Sequence, residues 1–97
     1  MMELRVKVKY FAYIRAVVRD NKEEVIDLDR DARLIDLLIK VSEKYGDNFR
    51  KAVFDHEDAS KLSEDVIILI NGRSVDDLET VLKDGDTISI MPFLSGG

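Results

Sequence analysis

The chain opens with a stretch in which apolar and polar residues alternate without interruption. Over residues 3–10 an apolar side chain recurs at every second position, and this period of two is typical of a strand that buries one face. One face carries Leu4, Val6, Val8 and Tyr10, and the other carries Arg5, Lys7 and Lys9. A second alternating stretch, residues 24–28, predicts a returning strand that pairs with the first in antiparallel fashion.

A period of about 3.6 residues replaces the period of two between Ala32 and Tyr45. This pattern predicts the main helix, with Asp31 as its N-cap and Gly46 just beyond its C-terminus. Its apolar stripe consists of Leu34, Leu37, Leu38, Val41 and Tyr45. Shorter runs with helical spacing predict a helical turn or structured loop over residues 11–18, a short second helix over 48–54, and a helical turn over 75–82.

Two further strands are predicted in the second half of the chain. Residues 66–70 form a continuous apolar run that is typical of a central strand, and residues 87–91 follow the turn Asp84-Gly85-Asp86. The order strand, strand, helix, strand, strand predicts an α+β protein with the β-grasp, or ubiquitin-like, arrangement. In it a mixed sheet of four to five strands packs on one main helix. We expect this domain over residues 1–92 and a flexible C-terminal Gly-Gly tail over residues 93–97.

Composition excludes several classes of function. The chain has no cysteine, so disulfides, thiolate catalysis, iron–sulfur clusters and zinc fingers are excluded. Its net charge of −5 disfavours a nucleic-acid partner. The sequence has no apolar run of membrane-spanning length and no signal-peptide pattern, so we expect a cytoplasmic protein. The single histidine, His56, lies among acidic residues without the ligand set of a metal site, so none is predicted.

The last two residues, Gly96 and Gly97, add nothing to a strand, because glycine contributes no packing and loses much backbone entropy on ordering. Without Cβ atoms they leave the terminal carboxylate on a thread slender enough for a narrow channel in another protein. A carboxylate is a weak electrophile, so its use as a reactive group requires activation, most simply by ATP. The chain has no phosphate-binding glycine loop of its own. The alternative interpretation is an ordinary frayed terminus.

Four segments together resemble the MoaD group of ubiquitin-like sulfur carriers, the small subunits of molybdopterin synthase. They are Val-Lys-Tyr-Phe-Ala at 8–12, Ile-Asn-Gly at 70–72, Leu-Lys-Asp-Gly-Asp-Thr-Ile at 82–88, and Met-Pro-Phe-Leu-Ser-Gly-Gly at 91–97. The resemblance covers the whole chain. It implies that Gly97 is the terminal glycine that an E1-like, MoeB-type enzyme adenylates and a sulfur donor converts to a thiocarboxylate. Gly96 is then the slender penultimate residue. The chain binds no cofactor in this interpretation, because the activating partner uses the ATP.

The resemblance also implies a set of partners. The thiocarboxylate enters a MoaE-like large subunit and gives its sulfur to the pterin precursor of molybdopterin. The residues that match the family's docking surface and tail base are Phe11, Met91, Pro92, Phe93 and Leu94. Phe11 is explained equally well as a core residue. Pro92-Phe93 stands where the family often has two prolines, and residues 46–64 form a longer segment than in compact bacterial members, as in archaeal ones.

Other functions remain open from the sequence. A protein modifier would join Gly97 to target lysines through an isopeptide bond, as small archaeal modifier proteins do, after the same activation. A thiamine-type carrier of the ThiS type is a further alternative, although such chains are usually shorter. A plain β-grasp interaction module would make no chemical use of the two glycines.

Overall fold

The computed structural model describes residues 3–93. Its strands are β1 (Glu3–Tyr10), β2 (Glu23–Asp29), β3 (Val66–Ile70), β4 (Arg73–Ser74) and β5 (Thr87–Pro92). They form one five-stranded sheet in the order β2-β1-β5-β3-β4. β1 pairs with β2 antiparallel and with β5 parallel, while β3 pairs antiparallel with β5 and with β4. The two terminal strands are therefore neighbours in the middle of the sheet, and the predicted β-grasp arrangement is confirmed.

The helices are α1 (Leu34–Tyr45), α2 (Asp47–Val53) and a 3₁₀ helix, Ala12–Val18, between β1 and β2. Side chains of all three join those of the sheet in one hydrophobic core. Its largest fully buried side chains include Tyr10, Phe49, Ile14, Leu34, Leu37, Leu38 and Ile68. The opposite face of the sheet, which we name the open face, carries the alternate residues of each strand. Within residues 3–93 no helix is long and apolar enough to cross a membrane.

The predicted N-cap of the main helix is wrong. Asp31 has a left-handed backbone (φ 66°) in the turn after β2, and Arg33 is the residue that precedes the helix. The Arg33 N–H donates to the side chain of Asp36 at 2.8 Å, which closes the first turn from inside the helix. The predicted end is confirmed, because Gly46 follows Tyr45 with a φ of 96°.

The sequence predicted a helical turn over residues 75–82, but this segment is irregular. It runs past the start of α1. The Leu34 N–H donates to the Thr80 carbonyl and the Ile35 N–H to the Leu78 carbonyl, each at 2.9 Å. The first amides of a helix have no partner within the helix, and here another part of the backbone accepts them. The segment contains one turn, in which the Thr80 N–H donates to the Asp77 carbonyl at 3.1 Å, and is otherwise irregular.

A long connection joins α2 to β3. It folds back on itself, with an isolated bridge between Phe54 and Leu62 and a 2.8 Å hydrogen bond from the Ser63 N–H to the Val53 carbonyl. Residues 56–61, whose polar sequence predicts a mobile loop, form the tip of this connection, and the mobility stays a prediction. The connection delivers the chain to the start of β3.

The predicted turn Asp84-Gly85-Asp86, just before β5, is confirmed and is tied to the turn between β3 and β4. Asn71 has a left-handed backbone (φ 52°) in the turn between β3 and β4. Its side-chain amide donates to the Asp86 carboxylate at 2.8 Å, and the Lys83 N–H donates to the same carboxylate at 2.8 Å. Asp86 is buried, so these bonds satisfy a group that would otherwise be costly to bury. They hold the chain where it enters β5.

Candidate functional site

Strand β5 ends at one edge of the described chain. We name its last two residues and the one that follows, 91–93, the tail root. Pro92 lies opposite Val66 of β3, and the Phe93 N–H donates to the Asp65 carbonyl at 2.8 Å. This bond extends the pairing of β5 with β3 by one residue beyond the proline. The tail root is therefore attached to the sheet through its backbone.

Phe11 leaves β1 beside the tail root. Its N–H donates to the Ile90 carbonyl at 3.1 Å, and its backbone is extended (φ −127°, ψ 148°). Alternation then places its ring on the same face of the sheet as Met91, opposite the side chain of Tyr10. The ring is partly buried, and the Arg15 guanidinium lies 5.9 Å from its centroid. Partial burial is compatible with both predicted roles, because the ring packs on one side and stays accessible on the other.

The open face has an apolar half on β3 and β5. Ile67 lies opposite Met91, and Leu69 lies opposite Ser89 in the strand register. The three apolar side chains are partly buried, and the Phe93 side chain is half-exposed (50%). We name these residues together the root surface: Phe11, Ile67, Leu69, Met91 and Phe93.

The structure brings four of the predicted site residues together at the end of β5, and they are Phe11, Met91, Pro92 and Phe93. The other three, Leu94, Gly96 and Gly97, lie outside the described residues. Their roles stay predictions.

The other half of the open face, on β1 and β2, is mostly charged, with the exposed Val25 among the charges. The Arg5 guanidinium lies 2.9 Å from the Asp27 carboxylate, and the Lys7 ammonium lies 3.5 Å from the Glu23 carboxylate. The hydrogen bond from Arg5 holds the pKa of Asp27 below its usual range. Acidic and basic residues thus neutralise one another across the two strands, next to the uncharged root surface.

Three residues near the tail root were missed by sequence reasoning. Tyr13 is 49% exposed, and its hydroxyl donates to the Asp65 carbonyl at 3.3 Å. A weak signal was available, since Tyr13 does not belong to the helically spaced apolar positions that bury Ile14 and Val18. Ile67 and Leu69 belong to the apolar run that predicts a central strand, and their side of β3 is only partly covered.

The part of the chain that the structure describes holds no cluster of three or more His, Cys, Asp and Glu residues that could bind a metal. His56 borders a small acidic recess together with Asp55, Glu57 and Glu64. A groove of about 660 Å³ runs beside β3, and Phe93 is one of its lining residues.

Comparison with known proteins identifies the family. The model of the ThiS family matches residues 8–97. The chain belongs to the ThiS family. "Small archaeal modifier protein 3" of Haloferax volcanii is 31% identical over 97 residues, which cover 97% of this chain and all of that protein.

Two solved structures are similar over almost the whole length. One, from Pyrococcus furiosus, is named "Putative molybdopterin converting factor, subunit 1" and is 35% identical. It has a TM-score of 0.77, with 94% of this chain and 99% of that chain covered. The other is small archaeal modifier protein 1 from Methanosarcina acetivorans, 33% identical with a TM-score of 0.78 and full coverage of both chains. The resemblance inferred from the sequence is confirmed. Members of this ThiS/MoaD family are ubiquitin-like sulfur carriers and modifiers, small proteins that are not themselves catalytic.

Proposed function

We propose that this protein is a sulfur carrier that acts as the small subunit of molybdopterin synthase and bears its sulfur as a thiocarboxylate on Gly97. The observation that carries this proposal is the 35% identity to the Pyrococcus furiosus protein, whose name refers to molybdopterin conversion and which is matched over 99% of its length. The position of the tail root at the end of a central strand supports it, because the residues beyond Phe93 leave from a well-anchored base.

The proposed chemistry has two steps, and both take place in the active site of an E1-like adenylating partner. One oxygen of the Gly97 carboxylate attacks the α-phosphorus of ATP, the bond between the α- and β-phosphates breaks, and pyrophosphate leaves. Hydrosulfide from a sulfur donor then attacks the carbonyl carbon of the acyl-adenylate, a C–S bond forms, and AMP leaves with the original oxygen. Gly96 and Gly97 serve these steps by lacking side chains that would obstruct a narrow channel.

The root surface and Pro92 supply the docking contacts in this proposal. Phe93 is half-exposed, so a partner that covers it removes on the order of 100 Å² of ring from water, which contributes up to about 2.5 kcal/mol. Leu94 is the next apolar residue in the sequence and extends the same contact. We assign partner contacts to Phe11, Met91, Pro92, Phe93 and Leu94. The partners are the adenylating enzyme and a MoaE-like large subunit, which receives the thiocarboxylate.

A second function, protein modification, is supported by the 31% identity to small archaeal modifier protein 3. It uses the same adenylation of Gly97, but a lysine of a target protein takes the place of the pterin as final acceptor. The residues after Lys83 include neither lysine nor arginine. Trypsin would therefore leave residues 84–97 attached to a modified lysine, which gives the conjugate a distinctive mass.

The first test is the intact mass of the chain after incubation with ATP, an E1-like enzyme from the same organism and sulfide. We expect a gain equal to the replacement of one oxygen by sulfur. Two controls should show no gain: a chain that lacks Gly96 and Gly97, and a chain with one alanine added after Gly97. Both should keep the unfolding free energy of the native chain, because their changes lie beyond the core.

No mass change in the native chain, with an enzyme that is active on another substrate, would favour a binding module that makes no chemical use of the two glycines. If the thiocarboxylate forms, its acceptor decides between the two functions. Conversion of the pterin precursor in the presence of a MoaE-like subunit supports the first function, and lysines that carry residues 84–97 support the second.

A further inference from the structure

The carbonyl oxygen of Asp65 is the point at which three parts of the chain meet. It accepts the Phe93 N–H at 2.8 Å and the Tyr13 hydroxyl at 3.3 Å. Tyr13 belongs to the 3₁₀ helix after β1, Phe93 follows β5, and Asp65 immediately precedes β3. A carbonyl oxygen has two lone pairs, so it can accept both donors at once.

Asp65 is in turn held by the connection from α2. Its N–H donates to the Ser63 hydroxyl at 3.1 Å, and the Val66 N–H donates to the Ser63 carbonyl at 3.3 Å. The Ser63 N–H donates to the carbonyl of Val53, the last residue of α2, whose side chain is fully buried. These bonds connect the acceptor to the core. Through these bonds, residues 54–65 place the Asp65 carbonyl beside the tail root.

Pro92 by itself does not fix the direction of the chain at Phe93. The proline ring sets its own φ, but its ψ can still change, and that rotation would swing the following peptide. The hydrogen bond from the Phe93 N–H to Asp65 opposes this rotation. A proline at position 93 would have no N–H and could not form the bond. The bond therefore restrains the backbone at the tail root.

We propose that the Asp65 carbonyl and Tyr13 position the tail: they set the direction in which residues 94–97 leave the sheet and so present Gly97 to an ATP-dependent adenylating partner. This role rests on the function proposed above. Residues 94–97 follow Phe93 directly in the sequence, so a rotation at Phe93 would change the direction in which they leave the sheet. Enzymatic reactions are sensitive to such changes, because the reacting atoms must meet in a narrow range of geometries.

The experiment uses two matched pairs of variants in the full chain. Phe93→Pro and Phe93→Leu both remove the aromatic ring, but only the first removes the N–H. We measure ATP–pyrophosphate exchange with the adenylating enzyme that activates the native chain. The kcat/KM of Phe93→Pro should be about 3- to 10-fold lower than that of Phe93→Leu, the ratio expected for one hydrogen bond. The loss should appear in kcat, because the rest of the root surface is the same in both variants.

The second pair of variants, Tyr13→Ala and Tyr13→Phe, is tested without any enzyme, by measuring hydrogen exchange at the Phe93 amide. This amide should exchange slowly in the native chain. Tyr13→Ala should accelerate its exchange several-fold, because the Asp65 carbonyl then faces water. Tyr13→Phe should give an intermediate rate, because the ring still shields the carbonyl although the hydroxyl is gone.

Rapid exchange at Phe93 in the native chain, or equal kcat/KM values for the two Phe93 variants, would overturn the positioning role and leave the proposed function intact. A native chain that is not adenylated by any E1-like enzyme of its organism would overturn the proposed function, and the positioning role with it. Slow exchange at Phe93 together with the expected ratio of kcat values supports both.

Discussion

Glu24 provides a direct test of how the first hairpin is attached to the main helix. Its side chain is 10% exposed, and one carboxylate oxygen accepts the hydroxyls of Tyr10 at 2.7 Å and Tyr45 at 2.6 Å. The other oxygen accepts the ammonium of Lys44. Burial alone would raise the pKa of Glu24, but the hydrogen bonds from Lys44, Tyr45 and Tyr10 outweigh it and hold the pKa below its ordinary value. The carboxylate thus joins β2 to β1 and to the end of α1.

Replacing Glu24 by alanine leaves two tyrosine hydroxyls without their acceptor, and Tyr10 is fully buried. A buried polar group that loses its partner costs about 1–3 kcal/mol, so we expect Glu24→Ala to lower the unfolding free energy by about 2–4 kcal/mol. Glu24→Gln keeps an oxygen for the hydroxyls but turns an NH₂ group towards Lys44, and should cost about 1–2 kcal/mol. The matched control is Glu23→Ala, which removes the same charge from an exposed pair with Lys7 and should cost at most about 1 kcal/mol.

The measurement is urea unfolding followed by circular dichroism, with the midpoint and slope compared among the four proteins. It should be repeated in acid. Because the pKa of Glu24 is lower in the folded chain than its unfolded value of about 4.3, its contribution to stability is fully present above that pH. It is lost as the pH falls through the folded pKa. The difference between the native chain and Glu24→Gln should therefore narrow in acid.

Two outcomes would refute this reasoning. The first is a loss for Glu24→Ala no greater than that for Glu23→Ala, which would mean that the hydroxyls find other partners. The second is a difference between the native chain and Glu24→Gln that stays constant between about pH 7 and pH 3, which would mean that the carboxylate is not stabilised by its hydrogen bonds.

Three further predictions concern stability and are read by urea unfolding. Leu37→Ala should cost about 2–5 kcal/mol by opening the core, whereas Ile39→Ala, on the exposed side of the same helix, should cost less than about 1 kcal/mol; equal losses would contradict the packing. Asp86→Ala should cost about 1–3 kcal/mol, since it frees the donors that tie β5 to its neighbours; the exposed Asp76→Ala is the control. Burial, and after it the hydrogen bond to Glu24, raises the pKa of Tyr10 in the folded chain. The contribution of Tyr10 to the unfolding free energy should therefore be fully present below about pH 10 and decrease as the pH rises further. In Tyr10→Phe this loss of stability at alkaline pH should be smaller.

The strand β1 and the helix α1 follow from local patterns, because each has one face in water and one in the core. In β1 the period of two matches the burial of Val6, Val8 and Tyr10, and in α1 the period of 3.6 matches that of Leu37 and Val41. Such a pattern can be recognised from consecutive residues alone, because all of them belong to the same strand or helix. This is why four of the five strands and both α-helices could be predicted, with small errors at their ends, whereas the two-residue strand β4 was not predicted.

The two errors in the fold have one physical cause. The start of α1 and the segment 75–82 are determined by each other, through bonds from Leu34 to Thr80 and from Ile35 to Leu78. A window of a dozen residues contains only one partner of each pair. The local pattern therefore offered Asp31 as a cap and a helical turn for the later segment, and tertiary hydrogen bonds overrode both propensities.

The candidate site divides in the same way. Phe11, Met91, Pro92 and Phe93 could be named from the sequence because they lie in short motifs that resemble a family. Tyr13 and Asp65 could not, since they are 52 residues apart and meet through a backbone carbonyl. Every residue has a backbone carbonyl, so the sequence does not indicate which of them accepts these hydrogen bonds. Only the folded path of the connection before β3 reveals which carbonyl faces the tail root.

Tyr10 relates the stability of the fold to the site. Its hydroxyl is bound by Glu24 inside the protein, while its carbonyl accepts the Arg15 guanidinium at 2.8 Å, and Arg15 in turn lies over the ring of Phe11. The root surface is thus held from β1 through Tyr10 and from β3 through Asp65. A partner that docks on side chains already ordered in this way avoids an ordering cost of roughly 0.5–1.5 kcal/mol for each of them. In the function proposed above, this arrangement would allow a small contact area to suffice for recognition of the partner.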